Sequence, residues 1–402
     1  MALARSARTL LAILVTAGVA LTFAPSAFAL STTADSTWQT NGRVYAMVRV
    51  GNTIYIGGKF TRVVSPDGLS KVAAKNLAAL DMTTGAPVPG FSARIDSTAK
   101  GATVRSLGAS ADGSVLYVGG RFDLIGTTPV TNFGAVNTSD GSVNATFAAP
   151  AVNGNVHAIL VGPSRIYLGG AFSKVGGIAR SNLAAVLPSG ALDSWAPLAN
   201  DTVRSFAMAQ DGATVFVGGH FTQMNSVARQ SVARVDAVSG VLNSWTIPAG
   251  VIDYPQTAWA ILPYGSRVFI GFGKGPNYVA AFHLDFGSVG SQVWRFNTVG
   301  NDESLAMNAD GTRLFVGGHF GTARLQQEVC KTATSSQWLH GLMSMNPATG
   351  QLFCDWIPTV TPYGSNFTGV WAMLSTGTQL WVGGFIETIS GVSHIGVGRF
   401  TL

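Results

Sequence analysis

The sequence predicts an all-β chain folded as a seven-bladed β-propeller, and three observations predict it. A short motif, aromatic–aliphatic–Gly–Gly–x–Phe, recurs with its first glycines at 57, 119, 169, 218, 271, 317 and 383. The steps between them are 62, 50, 49, 53, 46 and 66 residues, the length of a four-stranded blade with its loops. Composition agrees: Glu occurs only at 303, 328 and 387 while Gly occurs 49 times, a balance that disfavours helices and suits strands and tight turns.

Residues 1–29 read as a signal peptide rather than as fold. Arg5 and Arg8 form a basic start, Leu10 to Ala24 an apolar run, and Ala27-Phe28-Ala29 a small-residue cleavage site. The run is short for a membrane span, and no second one follows. The expected mature chain, 30–402, is one domain, extracellular and monomeric. Its formal charge falls from +6 to +4, with few Lys or Arg clustered, so nucleic acid is not an expected partner. Cys330 and Cys354 are the only cysteines, and in a secreted chain they are expected to pair. The bridge closes a loop of about 25 residues, worth roughly 3 kcal/mol.

Each unit reads as four strands. The first is Val-x-Ala/Ser-aliphatic, as in Val156-His157-Ala158-Ile159. A tight turn follows, often Asp-Gly (Asp112-Gly113, Asp211-Gly212, Asp310-Gly311). The Gly-Gly motif is the second strand: Tyr55 to Phe60, Tyr117 to Phe122, Tyr167 to Phe172, Phe216 to Phe221 and Phe315 to Phe320, with degraded copies at Phe269 to Phe272 and Trp381 to Phe385. The third is Asn76 to Leu80 and its counterparts Asn182 to Val186 and Ser231 to Val235. The fourth carries one aromatic that packs between blades: Phe91, Phe147, Trp195, Trp245, Trp294 or Trp356. The seventh unit stops at its third strand, Arg399 to Leu402, and the spare segment Ser36 to Gln39 holds the missing aromatic, Trp38. The N-terminal strand is therefore expected to complete the last blade, removing the exposed edges of an open array. The largest insertions are Thr61 to Ala74 and Gly321 to Leu339, the latter containing Cys330.

Tyr-Val-Gly-Gly-Arg-Phe at 117–122 and Asn-Leu-Ala-Ala-Leu-Asp at 76–81 resemble a family of secreted bacterial propeller repeats of unassigned activity. They are more distantly similar to fungal cortical polarity-marker and kelch-type propellers. The resemblance covers the mature chain and implies fold and export, with no catalytic residue. Ala79 to Gly85 is also similar to the docking motif of pyrroloquinoline-quinone enzymes, but the Trp soon after the glycine and the vicinal cysteines are missing, so no cofactor is expected.

Aligned on its glycines, the first strand has one position that does not repeat: Tyr45, Arg105, His157, Arg204, Trp259, Glu303 and Trp371. In a propeller such positions form a ring at the channel mouth and are the candidate ligand-binding residues. Trp and Tyr offer stacking faces for sugars or flat groups, and Arg a planar fork for carboxylates or phosphates. The alternative is a plug, in which these side chains pair with one another, Glu303 with Arg204 for example. The loops into the first strands add Asp96, Asp201, Asp253, Tyr254, Asp302 and Tyr363. Adjacent Asp302 and Glu303 should point to opposite sides of their strand. His220 and His319 share the x of Gly-Gly-x-Phe with Lys59, Arg121 and Ala171, a tolerance that predicts exposure, and no ligand cluster for a metal is visible.

The sequence carries no nucleophile elbow, phosphate loop or other catalytic signature. Function is expected to be binding or interaction with an extracellular glycan or cell-surface protein. One alternative is a polysaccharide hydrolase or lyase using His157 and Glu303 as acid and base; another is a structural wall or matrix protein without a ligand.

Overall fold

A computed structural model describes residues 30–99, 101–252, 256–284, 290–321, 327–331, 335, 337–361 and 368–402. The expected signal peptide lies outside these residues, as do Asp253, Tyr254 and Tyr363. Every regular element among the described residues is a strand, and no helix there is long and apolar enough to cross a membrane.

The repeats fold as seven antiparallel sheets of like order among the described residues. Unit one pairs Arg43–Val50, Thr53–Lys59 and Leu77–Asp81, and unit two Thr103–Ala109, Val115–Arg121 and Phe133–Asn137. Unit three pairs Asn155–Val161, Ile166–Ala171 and Leu183–Val186, and unit four Val203–Met208, Thr214–Gly219 and Val232–Asp236. Unit five pairs Thr257–Tyr264, Arg267–Gly273, Tyr278–His283 and Gln292–Asn297. Unit six pairs Asp302–Met307, Leu314–Gly318 and Leu342–Met345, and unit seven Gly369–Ser375, Gln379–Phe385 and Val397–Thr401. The first strand of each unit lies beside that of the next, and the first strand of unit seven lies beside that of unit one.

The paired glycines are a steric requirement. A Cβ on the first glycine would come within 3.0 Å of a first-strand valine of the following unit: Gly57 meets Val104, Gly119 Val156, Gly169 Val203, Gly317 Val370, and Gly383 Val44. A Cβ on the second would strike a backbone carbonyl of its own first strand, that of Arg43 at Gly58 and of Asn155 at Gly170. The core therefore lies between sheets. One cluster joins Tyr55, Leu77 and Ala79 of unit one to Val104, Leu116 and Val118 of unit two; another joins Ile54, Ile56 and Leu80 of unit one to Trp381 and Val397 of unit seven.

The asparagine that precedes the third strand in units one to three also has a physical cause. Asn76, Asn132 and Asn182 sit at φ of 67°, 64° and 64°, a left-handed conformation that Asn tolerates better than most residues. Each side chain then accepts from the backbone N–H of the motif phenylalanine (Phe60, Phe122, Phe172) and donates to a carbonyl on the way into the next unit (Ile95, Val152, Ala199).

Two local expectations need correction. Only unit five has a continuous fourth strand; in units one, two, three, four and six the fourth segment is reduced to a single bridge, such as Leu80 with Pro87 or Val186 with Leu192. A turn straight after the bridge is the reason: in units two, three and four the side chains of Asn144, Asp193 and Asn243 accept from the N–H two residues on (Thr146, Trp195, Trp245), bending the chain out of the ladder, and in unit one Pro87 and Pro89 interrupt the segment. The aromatics nevertheless pack as expected. Trp195 meets Tyr167 edge-on at 4.9 Å and Trp245 meets Phe216 at 5.3 Å. The connection between second and third strands is also more ordered than a loop. It forms a short hairpin in units one to four and in unit seven, as Lys174–Val175 with Ile178–Ala179 does. In unit six the corresponding hairpin, Glu328–Val329 with Gln337–Trp338, leads into Cys330, which is bonded to Cys354 with a Cα–Cα distance of 5.7 Å.

The expected N-terminal strand of the last blade is corrected in part: Gln39–Thr40 is a strand but pairs with Val63 and Val64 of unit one, while the non-strand stretch before it lies against unit seven. In units one to four and six, a backbone N–H of the fourth segment donates to a fixed carbonyl of the third strand: Val88 to Ala79, Asn144 to Ala135, Asp193 to Ala185, Asn243 to Arg234, Phe353 to Ser344. In unit seven the same bond runs from Asp35 to Arg399, at 2.7 Å. Trp38, three residues on, packs on the cluster that contains Trp381. Trp356 of unit six donates its indole N–H to the Ser31 carbonyl at 2.9 Å, as Trp294 of unit five does to Pro347.

Two outcomes are expected. Gly169→Ala should lower unfolding free energy in urea by about 1–3 kcal/mol, because Val203 and Phe206 leave no space for the methyl. A chain beginning at residue 39 should melt several degrees lower than one beginning at residue 30; superimposable melting curves would show that the segment contributes nothing.

Candidate functional site at the channel mouth

All seven non-repeating residues line one cavity of about 520 Å³, together with Arg43, Asn301 and His319. A β-bulge puts them there. In every unit the register between first and second strands slips across this one residue: between Val44 and Ala46, Val104 and Ser106, Val156 and Ala158, Val203 and Ser205, Ala258 and Ala260, Asp302 and Ser304, Val370 and Ala372. The bulged residue has no cross-strand partner, and its side chain is re-aimed out of the alternating pattern. Its neighbours remain structural: Ser205 donates across to the Ala258 carbonyl at 3.3 Å and Ser304 to the Val370 carbonyl at 3.0 Å, tying each unit to the next beside the bulge.

The lining residues fall into three groups. Tyr45 stacks on Trp371 with ring centroids 4.8 Å apart and planes 6° from parallel, and the Arg105 guanidinium lies 4.1 Å from the Tyr45 centroid. Arg204 lies 4.9 Å from the Trp259 ring, and its Nη1 is 3.4 Å from both ring nitrogens of His157. Glu303 accepts at Oε1 from Asn301 at 3.3 Å and contacts Nδ1 of His319 at 3.1 Å. The expected pairing of Glu303 with Arg204 does not form; the carboxylate and the guanidinium have these other neighbours instead. Cation–π stacking holds each arginine in place while its N–H fork stays available.

Electrostatics separates the two candidate proton carriers. Burial, then the charges of Arg204 and Arg105, lower the His157 pKa to about 3, so its imidazole is neutral at neutral pH. It can accept a hydrogen bond from Arg204 there but holds no proton to give as an acid. Glu303 is only 9% exposed and keeps His319, 22% exposed, as its neighbour. Its Oε2 and the Trp259 indole nitrogen are cut off from water and have no partner among the described residues. Asp302 points the other way, as alternation requires. It is fully buried, accepts from Thr298 Oγ1 at 2.7 Å, and its pKa is raised well above the carboxylate range by burial.

Comparison with known proteins settles the fold and no more. No family model and no curated protein matches the chain, so the likeness to secreted bacterial repeats rests on the motif residues alone. Among solved structures, the β-propeller domain of Myceliophteria thermophila Cps50 (Swd1) superposes with a TM-score of 0.52 over 91% of this chain and 98% of that one, at 11% identity. The computationally designed Ika8 protein gives 0.51 over 93% and 100%, also at 11%. The chain is a β-propeller. At such identities the likeness concerns the scaffold; the residues at the propeller's mouth are this chain's own.

The remaining acids of the propeller's loops are spent structurally. Asp96 binds Lys75 and Arg94, and these contacts, Lys75 first, lower its pKa to about 2. Asp201 is exposed and accepts from its neighbour Thr202. The expected exposure of the x position holds for Lys59, Arg121 and Ala171 but not for the histidines. His220 is half-buried with Nδ1 3.1 Å from the Gln256 carbonyl, and His319 lines the cavity. Arg43, Asn301 and His319 escaped the sequence alignment because only the bulge position was treated as variable. The signal was present: Arg43 and Asn301 stand two residues before the bulge, and the x residue is opposite them, as the Arg43–Lys59 pair and the His319 N–H to Asn301 carbonyl bond show.

His157 makes stability depend on acid. The unfolded histidine titrates near 6.5 and the folded one near 3, so the unfolded state binds more protons between those values. Stability must fall as pH drops through that window, by at most about 1.4 kcal/mol per pH unit. His157→Gln should lose less unfolding free energy than the parent between pH 7 and pH 5 in urea titrations; equal losses would refute the assignment.

Proposed function

We propose that the protein is a secreted, seven-bladed β-propeller, closed by residues 30–38 as the outer segment of its last blade, that acts as a monomer and binds an extracellular glycan or cell-surface partner at its mouth. Export rests on the basic, apolar and small-residue run of positions 1–29. Closure is supported by the Asp35–Arg399 bond, which repeats a contact made inside other units, and by the Trp356–Ser31 bond, which repeats one made between neighbouring units. The binding reading is carried by one observation. Seven bulges aim seven side chains of five different kinds into one cavity, on a scaffold that otherwise repeats itself. Packing alone would be served by repeating them too. A cavity of about 520 Å³ also falls in the usual range of small-ligand sites, which argues against a plugged mouth. Fold does not decide between binding and catalysis, since propellers serve as scaffolds for either.

A second reading is catalytic: the 3.1 Å contact of Glu303 with His319 supplies a carboxylate–imidazole pair, the only one at the mouth among the described residues, for hydrolysis or elimination on a polysaccharide. It shifts the partner of Glu303 from His157 to His319.

A glycan and peptide array probed with the purified protein tests the first reading. Binding should fall at least tenfold in Arg204→Ala and in Trp259→Ala; signals untouched by both would remove the mouth as the site. Turnover of a bound polysaccharide that is abolished in Glu303→Gln would favour the second reading.

A further inference from the structure

Among the described residues, the lining of the mouth leaves two arginines without an ionic partner. Arg105 and Arg204 line the cavity with one carboxylate, Glu303, which is already engaged by Asn301 and His319. Arg105 and Arg204 flank the position of His157 and have no carboxylate within ion-pair distance among the described residues. Elsewhere four of the chain's half-buried or buried arginines pair with a carboxylate, Arg165 with Asp193, Arg234 with Asp211, Arg313 with Asp355 and Arg399 with Asp35, while half-buried Arg180, Arg229 and Arg267 donate to backbone carbonyls. The two at the mouth are parked on Tyr45 and Trp259 instead, close enough that the charge of Arg105 disfavours the charge of Arg204. A bound anion would relieve that repulsion, and a guanidinium fork fits a carboxylate.

The rest of the cavity selects among anions. Trp259 Nε1 is a donor and Glu303 Oε2 an acceptor, both without partners among the described residues and held by adjacent units. A hydroxyl both donates and accepts, so after a small side-chain shift it satisfies the pair. Sulfate, which only accepts hydrogen bonds at neutral pH, cannot give Glu303 a proton to share, and the carboxylate repels it. The cavity volume suits one or a few sugar rings rather than a folded partner.

We infer that the mouth is a site for an acidic sugar, with the uronate carboxylate held between Arg105 and Arg204 and ring hydroxyls directed at Glu303 and Trp259. This inference rests on the binding reading given above and names its ligand class.

Isothermal titration with tetragalacturonate, neutral tetragalactose and sodium sulfate tests it. Tetragalacturonate should bind; tetragalactose and sulfate should bind at least tenfold more weakly. Arg105→Gln and Arg204→Gln should each weaken tetragalacturonate at least tenfold, with Arg105→Lys, which keeps the charge but loses the fork, in between. Melting curves that match the parent show that the variants are folded. Arg105 is exposed, so its variants should meet that test even if Arg204→Gln does not. Equal affinity for the neutral oligomer, sensitive to Trp259→Ala, would overturn the acidic-sugar inference while leaving the mouth as a binding site. Sulfate binding as tightly as the uronate would overturn it in favour of a bare anion site. Tetragalacturonate binding unchanged in both arginine variants would overturn the inference and the mouth site together.

Discussion

The missing Cβ of the first motif glycine governs how this molecule is put together. At that point a first-strand valine of the following unit sits where a methyl would be, as Val104 does over Gly57 and Val44 over Gly383. The contact sets how closely one sheet can approach the next, and it recurs in five of the seven units, including the return from seven to one; at Gly218 and Gly271 the following unit supplies Ile261 and Asp302 in the valine's place. Burial follows from it: the aliphatic and aromatic side chains of each second strand are sealed by the neighbouring sheet, and the apolar gain accrues between units rather than within them. A unit on its own would leave both faces wet, so the repeats stabilise one another as a set.

Much of the scaffold was legible because it repeats. Glycine spacing identified the second strands, Asp-Gly pairs the turns after the first strands, and the aromatics of the fourth segments their packing. The outer strands were less legible. Their hydrophobic pattern is that of a strand, but Asn144 or Asp193 bends the chain by accepting from the N–H two residues on, and a rule that counts aromatics does not see it. The hairpins between second and third strands were missed because two-residue strands such as Ile178–Ala179 carry almost no periodic signal.

The candidate site was legible in an unusual way, through failure to repeat. Alignment isolated the bulged residue in all seven units without any knowledge of the bulge. It could not say which of those side chains would touch. Tyr45 looked like an open stacking face; in the structure it is stacked on Trp371 and approached by Arg105. Glu303 looked like a partner for Arg204, yet a histidine two residues past a glycine claimed it, because cross-strand pairing brings the x position to the same rim. Contacts between units depend on distances around the ring, and a linear sequence does not encode those one residue at a time.

The turns of the outer segments have a consequence beyond shortening a strand. A sheet's outermost strand normally exposes a row of unsatisfied N–H and C=O groups, a template on which another chain can polymerise. Breaking that row in five units denies a second molecule the regular ladder it would need to add on. Unit five is the exception: its edge, Gln292–Asn297, is continuous and free of proline, but it presents Gln292 and Arg295 to solvent. The perimeter of the molecule is thus guarded against edge-to-edge aggregation in two ways, by interruption around most of its circumference and by polarity where the strand is whole.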